Sequence, residues 1–374
     1  MLEKLQNEGT NIVDLSLSNP SQADLALDLD RVVKASLLSS ASYTPDALGL
    51  LRARTALASF WSAQTAQPLD AKQICLAAST SELYAHLMKI LCSPGDEWLV
   101  PAPSYPLLEQ LAQSEGIVLK RYPLIWDGQW HIDFPMLKSL ISTKSKAIAV
   151  VNPNNPTGNY VSRSEILGLY ELGLPIVCDE VFLPYALSDN SKNQQSILNA
   201  ARSTMPLVFV LGGLSKFAAL PQLKCSWLIA RGPQSELEEC LHRLTCLSDL
   251  FLSTHQAVQE QLPELLRYGH RVQAIITSRL QANLSYAKRL LNNAHSPISL
   301  RLPQGGWYLS LQLPAIKSDE QWTLELLQEQ HTHVLPGYLF DYHEEAMLVL
   351  SLLCTPENFS QGLQRIVNSV NQTC

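Results

Sequence analysis

Val150-Val151-Asn152-Pro153-Asn154-Asn155-Pro156-Thr157-Gly158 joins an apolar run to an amide-rich turn. Two more apolar runs follow. Ile176-Val177-Cys178 ends in Asp179-Glu180, and Leu207–Leu211 leads through Gly212-Gly213-Leu214-Ser215 into Lys216. Each run delivers a polar side chain, Asn155, Asp179 or Lys216, at its C-terminal end, the edge at which open α/β sheets bind ligands. Taken singly, each group is bland. Asn, Pro and Gly are ordinary turn formers, an Asp-Glu pair is most simply a loop acid or helix cap, and a lysine is most simply a surface residue.

Taken in this order, the three make a chemical set. An acid can keep a pyridine nitrogen protonated, a lysine can form a Schiff base, and an asparagine can bond a phenolic ring oxygen. That set describes a pyridoxal-phosphate site, and therefore an enzyme. Lys216 is flanked by Phe209, Val210, Leu211, Phe217, Ala218 and Ala219, and an apolar setting lowers a lysine pKa as such a nucleophile requires. Ala78-Ser79-Thr80-Ser81-Glu82-Leu83 has the form of a helix N-terminus, either a plain capping box or a phosphate site. Pro103-Ser104-Tyr105-Pro106, after the run Glu97–Val100, offers an aromatic able to cover a flat ring.

The rest of the chain is compatible with this. Its 374 residues exceed one small core, and 46% hydrophobic with 16% charged residues suits a globular interior. A net charge of −7 with scattered Lys and Arg disfavours nucleic acid or an anionic membrane as partner. The N-terminus is polar, and the longest apolar stretch, Met205–Leu223, is broken by Lys216 and Pro221. Eight cysteines (75, 92, 178, 225, 240, 246, 354 and 374) form no C-x-x-C pair, so a reducing cytoplasm is expected. His331-x-His333 lacks further ligands and reads as surface.

Unalternated apolar strands separated by helices predict an α/β fold, with a mainly parallel sheet covered on both faces. The strands are Ile74–Ala77, Glu97–Val100, Ala147–Val151, Ile176–Cys178, Leu207–Leu211 and Trp227–Ala230. Helical patterns fall at Ser81–Leu91, Leu107–Glu115 and Ser164–Leu172, and a long one at Glu236–Leu291, expected to break near Pro263. Arg301–Leu313 and Met347–Leu352 read as strands of a separate α+β unit. The expected division is a large domain over 31–255 and a small one from 1–30 and 256–374.

With these segments on the page, the chain resembles the class I/II aminotransferases of the fold-type-I pyridoxal-phosphate enzymes, from Tyr43 to about Glu357. Further matching elements are Tyr43 with Gly49-Leu50-Leu51-Arg52, Leu220-Pro221, Pro303-Gln304-Gly305-Gly306-Trp307 and Leu335-Pro336-Gly337. The resemblance implies a seven-stranded, mostly parallel sheet and a smaller domain that closes over substrate. It implies that Lys216 forms the Schiff base and carries the substrate's α-proton. Asp179 would pair with the pyridine nitrogen, Asn155 bond the ring oxygen and Tyr105 stack. Ser79, Thr80, Ser81 and Ser215 would surround the phosphate, with Lys224 keeping a positive charge there. Tyr43 would reach the neighbouring subunit's phosphate, making the active unit a homodimer.

Departures from the family pattern are also legible. Phe182 stands where a tyrosine usually bonds the ring oxygen, which raises the Schiff-base pKa. Lys224 replaces an arginine and Gly213 a serine. Val349, in Leu348-Val349-Leu350-Ser351, replaces the arginine that grips an α-carboxylate. The expected activity is transfer of an amino group between an amino acid or amine and an oxo acid or aldehyde. The substrate either lacks a conventionally placed α-carboxylate or is anchored elsewhere, with Arg301, Arg121 and His343 as candidates. A lyase or decarboxylase of the same fold, or a weakened cofactor-binding protein, is the alternative. A Rossmann oxidoreductase is disfavoured, because no G-x-G-x-x-G opens a helix after the first strand.

Overall fold

The computed structural model describes residues 1–37, 42–65, 67–187, 195–200, 205–293 and 296–373. The chain opens with α1 (Leu2–Asn7), β1 (Val13–Asp14), α2 (Leu29–Ser36) and α3 (Leu51–Thr65). Next come β2 (Ile74–Ala77), α4 (Thr80–Leu91), β3 (Glu97–Ala102), α5 (Leu107–Glu115), β4 (Val118–Trp126) and β5 (Trp130–Ile132). Then follow α6 (Phe134–Leu140), β6 (Ser145–Val151), α7 (Arg163–Glu171), β7 (Ile176–Asp179), β8 (Val208–Gly213), α8 (Leu214–Phe217) and β9 (Ser226–Arg231). The C-terminal part holds α9 (Gln234–Asp249), α10 (Gln256–Asn293), β10 (Ser299–Arg301), β11 (Tyr308–Gln312) and α11 (Asp319–Glu329). It ends with β12 (Thr332–His333), β13 (Leu335–Pro336), β14 (Met347–Ser351) and α12 (Pro356–Thr373).

One sheet runs β2-β9-β8-β7-β6-β3-β4-β5. The run from β8 through β4 is parallel, and β9 is antiparallel to both its neighbours. Seven strands match the expectation. The eighth, β5, folds back on β4 through Asp127-Gly128-Gln129. Sequence reading missed this hairpin because its polar-aromatic alternation carries no long apolar run.

The strand interiors are apolar on both faces because both are covered. Ile176, Cys178, Val208 and Val210 pack into the core shared with α3 and α10, whereas Val177, Phe209 and Leu211 pack into the core shared with α4, α5 and α9. Side chains alternate along a strand, so the same parity carries to the strand ends. Asp179 therefore follows Val177 toward α4, and Glu180 follows Cys178 toward α3.

A second, antiparallel sheet runs β10-β11-β14-β13. The expected single strand 301–313 is split into β10 and β11, since Pro303 and the Gly305-Gly306 pair interrupt the ladder. The N-terminal arm joins this part: β1 pairs in parallel with β12, and Ser351 donates its N–H to Leu15. The expected break near Pro263 is also corrected. Pro263 lies inside α10, and the helices part at 250–255, where Leu252 takes φ 46°. Packing of α10 along α3 and α12 holds the helix through the proline.

Candidate active site

The loop after β6 is held on three sides. Asn154 donates to the Pro103 carbonyl (2.9 Å) and to Thr157 Oγ1 (2.7 Å), and accepts from Ser104 (3.1 Å). Asn152 donates to the Gln195 carbonyl (3.0 Å) and accepts from the Val161 N–H (3.1 Å). The Gly158 carbonyl accepts from Gln304 and Gly305 N–H groups, at 3.0 and 2.8 Å. Asn155 is thereby fixed with its side chain buried, yet its amide oxygen has no partner. The two ends of an asparagine amide are assigned by hydrogen bonding, so what stands is a buried amide end that no described residue satisfies.

Gly158 shows why this loop is sequence-specific. Its φ is 72°, and an added Cβ would meet Pro303 Cβ and stand 2.6 Å from the Gly305 carbonyl oxygen. Gly158→Ala is expected to cost about 2–4 kcal/mol of stability, from the left-handed backbone plus overpacking. Urea unfolding checks this, and a loss under 0.5 kcal/mol would contradict the clamp.

Asp179 ends β7 beneath α4. Its Oδ1 accepts from the Val181 N–H at 3.0 Å and its Oδ2 from the Tyr84 hydroxyl at 3.4 Å. Burial raises its pKa to about 6, against the lowering effects of those bonds and of Lys216. Tyr84 is fully buried and burial raises its pKa too, so it acts as a donor. Sequence reading missed Tyr84. Its placement on the inner face of α4 looks like any core aromatic.

Lys216 lies on the short helix α8 after β8. It is half-buried, with Nζ 3.1 Å from the Ser18 carbonyl oxygen, 4.9 Å from the Trp307 ring centre and 5.7 Å from that of Phe182. Burial lowers its pKa to about 8, although the Asp179 charge opposes this. The fully buried Tyr185 donates its hydroxyl to the Lys216 carbonyl, fixing the backbone that carries it. Phe182 uses its apolar ring to pack on Trp307 and Tyr308, both edge-on.

Ser79 is the N-cap of α4 and accepts from the Glu82 N–H at 3.1 Å; Thr80 and Ser81 form the first turn. The Glu82 carboxylate takes the Ala78 N–H at 2.8 Å. The N-cap is made but the reciprocal half of a capping box is not, since Glu82 takes the N–H of Ala78 and not that of Ser79, and the hydroxyls of Thr80 and Ser81 lie at a positive helix end. Ser215 sits beside Lys216. Lys224 is exposed, with φ 48°.

Two predicted residues do not close on the others within one chain. Tyr43 is 68% exposed and Tyr105 is 51% exposed. Val349 is fully buried in β14, opposite Ser310 and Leu335, with no cation in its register. Of the candidate replacements, Arg121 is paired with Glu109 and Asp341, and Arg301 bonds Gln312 and lies over the Trp126 ring. His343 is exposed. His331 and His333 are half-buried rather than on the surface, with His333 Nδ1 3.1 Å from Asp14 Oδ1. No cluster of three metal-ligating side chains occurs among the described residues.

The family model for aminotransferase class I and II matches residues 10–366. The chain belongs to this family. It is an aminotransferase. It is 28% identical over 364 residues to the tyrosine aminotransferase of Bos taurus, covering 92% of this chain and 79% of that one. It is 25% identical over 353 residues to the glutamate-pyruvate aminotransferase AlaA of Escherichia coli, covering 91% and 85%. An alanine aminotransferase from Pyrococcus furiosus has the same fold, with TM-score 0.88 at 22% identity, covering 99% of this chain and 95% of that one. So does a tyrosine aminotransferase from Leishmania infantum, with TM-score 0.87 at 22% identity, covering 97% and 92%. The aminotransferase has no helix among its described residues long and apolar enough to cross a membrane.

Proposed function

We propose that this aminotransferase binds pyridoxal phosphate through Lys216 and moves amino groups between an amino acid or amine and an oxo acid or aldehyde. The observation that supports this is the presence of three incomplete groups at or just after the C-terminal ends of the neighbouring strands β6, β7 and β8. Asp179 is a buried carboxylate whose nearby positive charge is Lys216, Lys216 is a lysine whose neutral form burial favours, and Asn155 is a buried amide end without a partner. A pyridine nitrogen, an aldehyde and a ring oxygen complete them in turn.

When bound, the cofactor supplies an electron sink for the substrate's α-carbon electrons. Asp179, kept dry and held by Tyr84, is then favoured as the anion, since an opposite charge offsets its desolvation. It would pair with the ring nitrogen and favour its protonated form. Lys216 Nζ is neutral in a large fraction near pH 8, so it can take a proton at the substrate α-carbon and give it back. Tyr105 would cover the ring. The hydroxyls of Ser79, Thr80, Ser81 and Ser215, with the Lys224 ammonium, would hold the phosphate at the α4 N-terminus.

Tyr43 would serve the neighbouring subunit of a homodimer. Its exposure supports this, as do the exposed Leu51, Leu250, Phe251 and Leu252, since Tyr43 and Leu252 line one cleft. We place the active chain in a reducing cytoplasm, a reading supported by seven unpaired cysteines among the described residues; Cys374 lies outside them. The division into domains 31–255 and 1–30 with 256–374 is retained as part of this proposal, with closure over substrate excluding water.

Val349 bears on the donor. A carboxylate facing it would find no charge, which disfavours an α-carboxylate held in the customary place. The test is a single half-reaction. Holoenzyme mixed with a panel of amines and α-amino acids is expected to convert its cofactor to the pyridoxamine form with at least one donor. Carbon dioxide, or ammonia with pyruvate, released without that conversion would overturn transamination in favour of the decarboxylase or lyase alternative.

A further inference from the structure

Tyr105 stands between two anchored neighbours. Ser104, one residue earlier, donates its N–H to the Phe340 carbonyl at 2.8 Å and its hydroxyl to Asn154 Oδ1 at 3.1 Å. Pro106, one residue later, is the N-cap of α5. Both flanks lead to Arg121. This residue lies on β4, in register with Val100 of β3. Through Nη2 it donates to Glu109 Oε2 at 2.5 Å, and Glu109 lies in the first turn of α5. Through Nε it donates to Asp341 Oδ2 at 2.7 Å, and Asp341 directly follows Phe340. One guanidinium therefore holds the helix that follows Tyr105 and the turn whose carbonyl holds the residue before it.

The clamp joins two parts of the fold. β3 and β4 belong to the eight-stranded sheet, whereas the turn Gly337–Phe340 lies between β13 and β14 of the four-stranded one. A planar guanidinium carries donors on several edges and can serve two carboxylates in different directions, which a compact ammonium does less well. All three charged side chains are partly exposed, so the pairs are open to screening by salt.

We propose that Arg121 is a positioning residue for this reaction: it fixes the Tyr105 loop, and with it the face that Tyr105 presents to the cofactor. The fixing of the loop stands on these bonds alone; its consequence rests on Tyr105 covering the cofactor ring.

Hydrogen exchange on the holoenzyme tests the first half. The Ser104 amide is expected to exchange about threefold to tenfold faster in Arg121→Gln than in wild type, with the amides of β6, β7 and β8 unchanged. Arg121→Lys is expected to fall between the two, and about 1 M salt to bring wild type toward Arg121→Gln. Cofactor titration tests the second half. Arg121→Gln is expected to weaken pyridoxal phosphate by about threefold or more and to alter its induced circular dichroism, but to add nothing in a Tyr105→Leu background. Unchanged exchange at Ser104, faster exchange throughout the sheet, or additive effects of Arg121→Gln and Tyr105→Leu would each overturn the proposal. Wild-type affinity in Tyr105→Leu alone would instead remove the stacking of Tyr105 on the ring, leaving exchange at Ser104 to decide the clamp.

Discussion

Lys216→Ala is expected to lower the transamination rate by about 10⁴-fold or more while leaving the fold intact. Two losses combine. The nucleophile that would hold the cofactor is gone, and so is the base that moves the α-proton, the latter alone worth about 10²–10⁴. Structure limits collateral damage: Tyr185 bonds the residue 216 carbonyl rather than its side chain, and the Nζ contact removed is one bond to the Ser18 carbonyl. A small exogenous primary amine is expected to restore part of the proton transfer in the alanine variant. Activity within tenfold of wild type would remove Lys216 from the mechanism.

Asp179→Asn is expected to reduce turnover by roughly 10²–10⁴-fold, the equivalent of breaking a buried charge pair. The same substitution has an opposite effect on the cofactor-free protein. Burial raises the Asp179 pKa to about 6 in the folded chain, against about 4 unfolded. The folded state therefore binds the proton more tightly. Stability from this group falls as pH rises from about 4 to 6 and stays lower above, by roughly 3 kcal/mol in all. Asparagine cannot ionise, so the variant without cofactor should lose that part of the slope and be more stable than wild type at pH 7. Denaturant midpoints at pH 4 and pH 7 measure it. A variant no more stable at pH 7, yet as active as wild type, would contradict both halves.

The opposition is informative in itself. A buried acid that costs stability in the empty protein is a candidate site residue, since local cost concentrates where function requires it.

The parts of this site that sequence made legible share one property. Asn155, Asp179 and Lys216 each follow an apolar run, so hydrophobic patterning alone places them at the C-terminal edge of the sheet. The α4 N-terminus was legible through its hydroxyls and Glu82. Tyr84 was not, because its role depends on which face of the helix it occupies, and a buried tyrosine looks the same either way. The β4–β5 hairpin was missed for want of an apolar run, and Pro263 misled because packing along α10 outweighs a single lost backbone hydrogen bond. Val349 was read correctly as uncharged. What it means for the substrate depends on groups whose positions only the fold reveals: Arg121 and Arg301 are already engaged elsewhere.

The central claim is that Lys216 carries the cofactor. Reducing the holoenzyme with borohydride and mapping the modified peptide by mass tests it directly. The account predicts a single pyridoxyl-modified lysine, Lys216, lost in Lys216→Ala and lost also when the enzyme is first converted by an amino donor. Modification at another lysine, or none, would contradict it.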